Sequence, residues 1–73
     1  MNKELTALQK KIGSRIRNHR NAFEISQEDL AFKAEISPTY LSQIETGKRN
    51  PSLETLFSLC SALQIDLVEL FKA

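Results

Sequence analysis

The segment Ser26-Gln27-Glu28-Asp29-Leu30-Ala31-Phe32-Lys33-Ala34-Glu35-Ile36-Ser37-Pro38-Thr39-Tyr40-Leu41-Ser42-Gln43-Ile44-Glu45-Thr46-Gly47 decides the fold. Ser26 is a helix-starting residue, and Asp29 follows three positions later in capping-box spacing. Leu30, Ala31 and Ala34 then fall on one side of a 3.6-residue period, which predicts helix 2 over 27–34. Ser37 and Pro38 restart the helix: serine caps, and proline occupies the first turn, where no amide donor is needed. Helix 3 follows over 38–46, with Leu41, Ile44 and Glu45 facing inward and Gly47 as a left-handed stop. Only Glu35-Ile36-Ser37 joins the two helices, too few residues to let them run antiparallel. They must cross steeply.

Outward from this pair the chain stays helical. Leu5, Leu8, Ile12 and Ile16 recur at three- and four-residue intervals, predicting helix 1 over Lys3–Arg20, with residues 1–11 as an N-terminal extension. Gly13 costs about 1 kcal/mol there relative to alanine. It leaves two readings open, a close contact with another helix or a break, and a continuous helix is the expectation. After the loop Lys48-Arg49-Asn50-Pro51, Ser52 caps helix 4, whose Leu53, Leu56, Phe57, Cys60 and Leu63 form an apolar stripe. Asp66 and Glu69 form a second capping box, opening helix 5 over Leu67–Phe71. No stretch alternates polar and apolar as a strand would. The expectation is an all-α, compact five-helix domain spanning residues 1–73.

Composition narrows the function. Of 73 residues 41% are hydrophobic and 26% charged, with two glycines and two prolines, a globular balance. One cysteine and one histidine supply neither a disulfide nor a zinc site. No apolar run nears the ~20 residues that span a bilayer, and the first residues lack a signal-peptide core. A cytoplasmic location without membrane contact is expected. No nucleophile–base pair or metal set is present, so no catalytic residue, metal or cofactor is expected and a binding module is favoured over an enzyme. His19 reads as a surface residue, and Cys60 as a buried, inert thiol.

The formal net charge of +1 hides an uneven distribution. Residues 1–24 carry Lys3, Lys10, Lys11, Arg15, Arg17 and Arg20 against Glu4 and Glu24, while 25–47 carry Lys33 against Glu28, Asp29, Glu35 and Glu45. Lys48-Arg49 forms a further basic group. Such groups suit a polyanion when the fold gathers them on one surface.

The steep pair is helix-turn-helix geometry, in which the second helix can enter a DNA major groove about 12 Å wide. The outer face of helix 3 presents Thr39, Ser42, Gln43 and Thr46, with Pro38 at its tip and no long charged side chain in the way. Glutamine can pair bidentately with adenine, and threonine can offer its methyl to thymine. Taken alone, that face reads equally well as an ordinary solvated surface.

The runs Ser26-Gln27-Glu28-Asp29-Leu30-Ala31 and Tyr40-Leu41-Ser42-Gln43-Ile44-Glu45-Thr46-Gly47-Lys48-Arg49-Asn50-Pro51-Ser52 strongly resemble the Xre-type helix-turn-helix repressors, the family of phage lambda repressor and Cro. Ile12-Gly13, Ile16-Arg17, Arg20 and Ala62-Leu63 extend the resemblance over about residues 12–71. It implies a lambda-repressor-like fold, with residues 27–46 as the helix-turn-helix, and a sequence-specific regulator of transcription on double-stranded DNA. Gln27 would contact phosphate and an outer base. Thr39, Tyr40, Ser42 and Gln43 would sit at or near base edges, Ser37 would belong to the same DNA-binding set, and Lys48, Arg49 and Asn50 would meet the phosphate backbone. Arg20 and Glu45 match an internal salt bridge, which makes Glu45 structural. Two positions depart from the pattern: Glu35 stands where the family usually has glycine, and Pro38 replaces a residue that often reads bases.

Leu67, Val68, Leu70 and Phe71 exceed what an intramolecular core needs and are expected to form a homodimer contact, with no small-molecule ligand required. The family's stand-alone members include restriction–modification controllers, phage repressors and antitoxins, and the sequence does not separate them. With no second domain in view, control is expected to act through protein concentration or a partner. The rival reading is an antitoxin-like protein-interaction module using the same helices.

Overall fold

Short polar caps start each α-helix. The computed structural model describes residues 2–72, so Met1 of the expected extension and Ala73 lie outside the described residues. Helix α1 spans Lys3–Ala22, two residues longer than expected, and the Asn2 side chain accepts from the Glu4 amide at 2.7 Å. Ser26 caps α2 (Gln27–Ala34) by accepting from Asp29 N–H at 3.0 Å. Ser37 caps α3 (Pro38–Glu45) through Tyr40 N–H at 3.0 Å, and Ser52 caps α4 (Leu53–Leu63) through Thr55 N–H at 3.1 Å. Each such cap satisfies an amide that the first turn leaves without a carbonyl partner.

The expected fifth α-helix is instead a single 3-10 turn, Leu67–Leu70, and Asp66 makes no side-chain cap bond. The described residues therefore form four α-helices and one 3-10 helix. The tighter winding has a packing reason. In a 3-10 helix residues three apart share a face, and Leu67 and Leu70 both pack on the core.

Three helices end in the same way. Glu24, Glu35 and Gln64 adopt left-handed backbone, with φ of 62°, 60° and 60°. The next residue in each case is an isoleucine, and Ile25, Ile36 and Ile65 donate their amides to Arg20, Ala31 and Cys60 carbonyls. All three isoleucines pack against the core. This is the Schellman closure, with its apolar contact just past the helix end. A side chain in this conformation costs about 1–2 kcal/mol that glycine would avoid. Glu35 thus keeps the expected turn and carries its strain.

The core is formed by Ile12 and Ile16 from α1, Leu30, Ala31 and Ala34 from α2, Leu41 and Ile44 from α3, Leu56, Leu59, Cys60 and Leu63 from α4, and Leu70. Two apolar stripes run past the buried faces beneath them. Leu5 and Leu8 share a stripe with Ile12 and Ile16, but α1 extends beyond its neighbours there and leaves both exposed. Leu53 and Phe57 are also exposed, because the buried face of α4 runs through Leu56, Leu59, Cys60 and Leu63.

Helix α1 is continuous through Gly13, and the residue marks a close contact. A Cβ at Gly13 would lie 2.1 Å from the Ile44 carbonyl oxygen and 3.0 Å from that of Glu45. The backbones of α1 and α3 touch where any other residue would hold them apart. A second contact pins the end of α3. Gly47 has a φ of 77°, and the Lys10 side chain lies where a Gly47 Cβ would go.

Candidate nucleic-acid interface

Helices α2 and α3 pack against each other, α1 packs under α3, and α4 packs under α2. This leaves the outer face of α3 free. Pro38 and Thr39 are exposed, and Tyr40, Ser42 and Gln43 are half-buried along the helix. Leu41, Ile44 and Glu45 point inward.

Glu45 is the one buried charged residue among those described, only 5% exposed. Its carboxylate accepts two bonds from the Arg20 guanidinium, from Nε at 2.8 Å and Nη2 at 3.1 Å. A buried carboxylate is tolerable only when paired and hydrogen-bonded. Arg20 Nη1 also donates to the Ile25 carbonyl at 3.1 Å. Gln27, expected to face phosphate, donates its Nε2 to Glu45 Oε1 at 3.0 Å. One network therefore joins α1, the start of α2 and the end of α3. It fixes the Gln27 amide with its nitrogen inward, leaving the carbonyl oxygen and one N–H for an outside partner.

A second group forms on the outer face. Arg49 Nη1 donates to Gln43 Oε1 at 3.1 Å, and the Arg49 guanidinium carbon lies 5.1 Å from the centre of the Tyr40 ring. The ring faces both ways: Tyr40 packs on the core and carries the cation on its outer side. Lys48 and Arg49 amides both donate to the Gln43 main-chain oxygen, at 2.8 and 3.3 Å. The left-handed Gly47 turns the chain back so that these bonds can form.

The remaining residues divide. Lys48 and Asn50 are exposed in the loop after α3. The Ser37 oxygen is occupied as the α3 cap, which leaves its O–H free to donate. The Thr46 hydroxyl is turned back onto the Ser42 carbonyl at 2.9 Å, so it does not extend the polar face as its position suggested. An open groove of about 470 Å³ lies between the end of α2 and α4, lined by Lys33, Ile36, Phe57 and Ser61 among others. It includes none of the residues expected to touch DNA.

Of the four apolar residues expected in a dimer contact, Leu70 is fully buried in the chain's own core and offers no outward surface. Leu67 is half-buried against that core, while Val68 and Phe71 are exposed. The sequence pattern could not separate inward from outward residues over four positions of a 3-10 turn. Phe32, to which the sequence pattern assigns no role, stands 84% exposed on α2. No helix is long and apolar enough to cross a membrane among the described residues.

A family model described as helix-turn-helix matches residues 16–70, and the chain belongs to that family. It is 36% identical over 63 residues to an uncharacterised HTH-type transcriptional regulator, y4dJ of Sinorhizobium fredii, covering 86% of this chain and 82% of that protein. It is 41% identical over 56 residues to the immunity repressor of Bacillus phage phi105, covering 77% of this chain but 39% of the repressor. Among solved structures, the restriction-modification controller protein C.AhdI from Aeromonas hydrophila superposes with a TM-score of 0.87 at 42% identity. That match covers 89% of this chain and 98% of the controller.

Proposed function

We propose that this protein is a sequence-specific DNA-binding regulator of transcription that acts as a homodimer on a pseudo-palindromic site. The observation that carries the reading is α3. Its polar face is open, while its inner face is held by a backbone contact to α1 and by the Arg20–Glu45–Gln27 network. A helix held rigidly with short polar groups outward is what a major groove admits. Gln27 and the α3 cap residue Ser37 would meet phosphates flanking the groove. Thr39, Tyr40, Ser42 and Gln43 would reach base edges, and Lys48, Arg49 and Asn50 the backbone beyond.

Exposed Val68 and Phe71, with Leu67 beside them, are the proposed dimer contact, which omits Leu70. Two copies would place their α3 helices in successive major grooves about 34 Å apart. The names of the relatives support a regulator and not an enzyme.

The test is selection from random double-stranded DNA at about 150 mM salt, followed by sequencing of the bound pool. A two-fold symmetric motif with half-sites about 10 base pairs apart is the expected result. An unenriched pool from folded protein refutes it. A second reading, contact with a partner protein, rests on Phe32 beside the acidic Glu28 and Asp29 of α2. If it holds, Phe32→Ala leaves the selected motif unchanged while abolishing that contact.

A further inference from the structure

The DNA-binding reading assigns Arg49 to phosphate and Gln43 to a base, as separate contacts. The geometry joins them. Arg49 is bound to Gln43 through both the side chain and the main chain, and its guanidinium also rests on the Tyr40 ring. We infer that Tyr40, Gln43 and Arg49 act as one reading unit, and that Arg49 determines base preference by fixing which way the Gln43 amide faces. This inference rests on the DNA-binding reading and goes beyond it.

A free glutamine offers a carbonyl oxygen and an amino group side by side. Adenine calls for that pair, because its major-groove edge holds the N7 acceptor and the N6 amino donor. In this protein the carbonyl oxygen of Gln43 accepts from Arg49. The second lone pair of that oxygen is still open, but an adenine amino group using it would come in beside the guanidinium N–H groups, bringing donors against donors. The Gln43 amino group, which makes no hydrogen bond among the described residues, is left as a donor beside the unused N–H groups of Arg49. A surface of donors alone suits guanine, whose edge offers two acceptors, N7 and O6.

Tyr40 and Gly47 are positioning residues in this unit. The ring sits one turn before Gln43 on α3 and supports the flat face of the guanidinium. Gly47, left-handed at 77°, returns the chain so that residue 49 lies over residue 43. Lysine at position 49 would keep the charge but lose the planar fork and the stacking. The two kinds of contact therefore separate experimentally.

The experiment is parallel selection from random duplex DNA with wild type, Gln43→Ala, Arg49→Ala, Arg49→Lys and Lys48→Ala, each first checked for wild-type helical circular dichroism. Gln43→Ala identifies the base pair that Gln43 reads, by losing preference there. At that pair wild type is expected to select guanine over adenine by about tenfold. Arg49→Ala and Arg49→Lys are expected to shift the pair towards adenine, and Lys48→Ala to lower affinity for all sequences alike. Three results overturn the inference while leaving the DNA-binding reading intact: adenine at that pair in wild type, the same preference in wild type and Arg49→Ala with only affinity reduced, or no effect of Gln43→Ala. A wild-type pool with no enriched motif overturns both.

Discussion

Replacing Gly13 by alanine sets two effects of opposite sign against each other. In an exposed helix the change would stabilise by about 1 kcal/mol. Here the new methyl would stand 2.1 Å from the Ile44 carbonyl oxygen, which would have to withdraw to about 3.4 Å for an ordinary contact. The second obstacle, the Glu45 carbonyl at 3.0 Å, is also backbone, so no rotamer change relieves the clash. Overpacking typically costs about 1–3 kcal/mol, and two backbone obstacles place this case at or above the upper end. After the propensity gain, a net loss of about 2 kcal/mol is expected. In a domain this small that lowers the melting temperature by roughly 8–16 °C. Urea unfolding followed by circular dichroism would report it as a lower midpoint at unchanged slope. The neighbouring Ser14→Ala is the control, because Ser14 is exposed on the same helix and should gain a few tenths of a kcal/mol. Gly13→Ala protein as stable as wild type would refute the backbone contact between α1 and α3.

Glu35→Gly removes a left-handed side chain costing about 1–2 kcal/mol but adds unfolded-state freedom worth about 0.4–1. A net gain of about 0.5–1 kcal/mol is expected in thermal melting, and a loss would contradict the strain assigned to that turn. Glu45→Ala leaves the half-buried Arg20 guanidinium with only the Ile25 carbonyl and frees Gln27, at a cost of about 3 kcal/mol, the lower end for breaking a buried pair. The double variant Arg20→Ala/Glu45→Ala should lose clearly less than the sum of the two single losses, and simple additivity would show the pair to be uncoupled. Burial, with the Asp66 charge second, pushes the Cys60 thiol above its ordinary range. The unfolded chain therefore ionises first, so stability is full below about pH 8.5 and falls as pH rises past it. Urea midpoints from pH 8 to 10 should show this slope in wild type and a shallower one in Cys60→Ala.

The sequence was most legible where one residue has one physical job. Ser26, Ser37 and Ser52 marked three helix starts, and each forms the cap bond expected of it. Helix α2 occupies the residues its periodicity marked out. Apolar spacing was less informative, because it reports a helix but not what lies beside it. Leu5 and Leu8 continue the stripe of Ile12 and Ile16 past the point where α1 has a neighbour. The spacing that marks Phe57 as part of the α4 stripe misses Leu59, which is fully buried while Phe57 is 65% exposed. The Asp66–Glu69 spacing suggested a capping box, but a single 3-10 turn forms with no such bond. At the interface the residue types were visible and their linkage was not. No local pattern shows that Arg49 would lie over residue 43, because that depends on the left-handed Gly47. The left-handed corner at Glu35 was visible through the glycine the family usually carries there, whereas those at Glu24 and Gln64 were hidden because their residues are unsuited to them, although the isoleucine after each was a usable sign.

The backbone contact at Gly13 reaches beyond stability. With one carbonyl of α3 seated where a methyl would be, the helix has almost no room to swing or slide on α1. On the proposed two-fold site, a helix held this stiffly cannot adapt to a half-site that is slightly out of phase. The misfit would then fall on the duplex, which must twist or bend to meet the protein. Base pairs lying between the half-sites, touched by no side chain, would gain a say through how readily they deform.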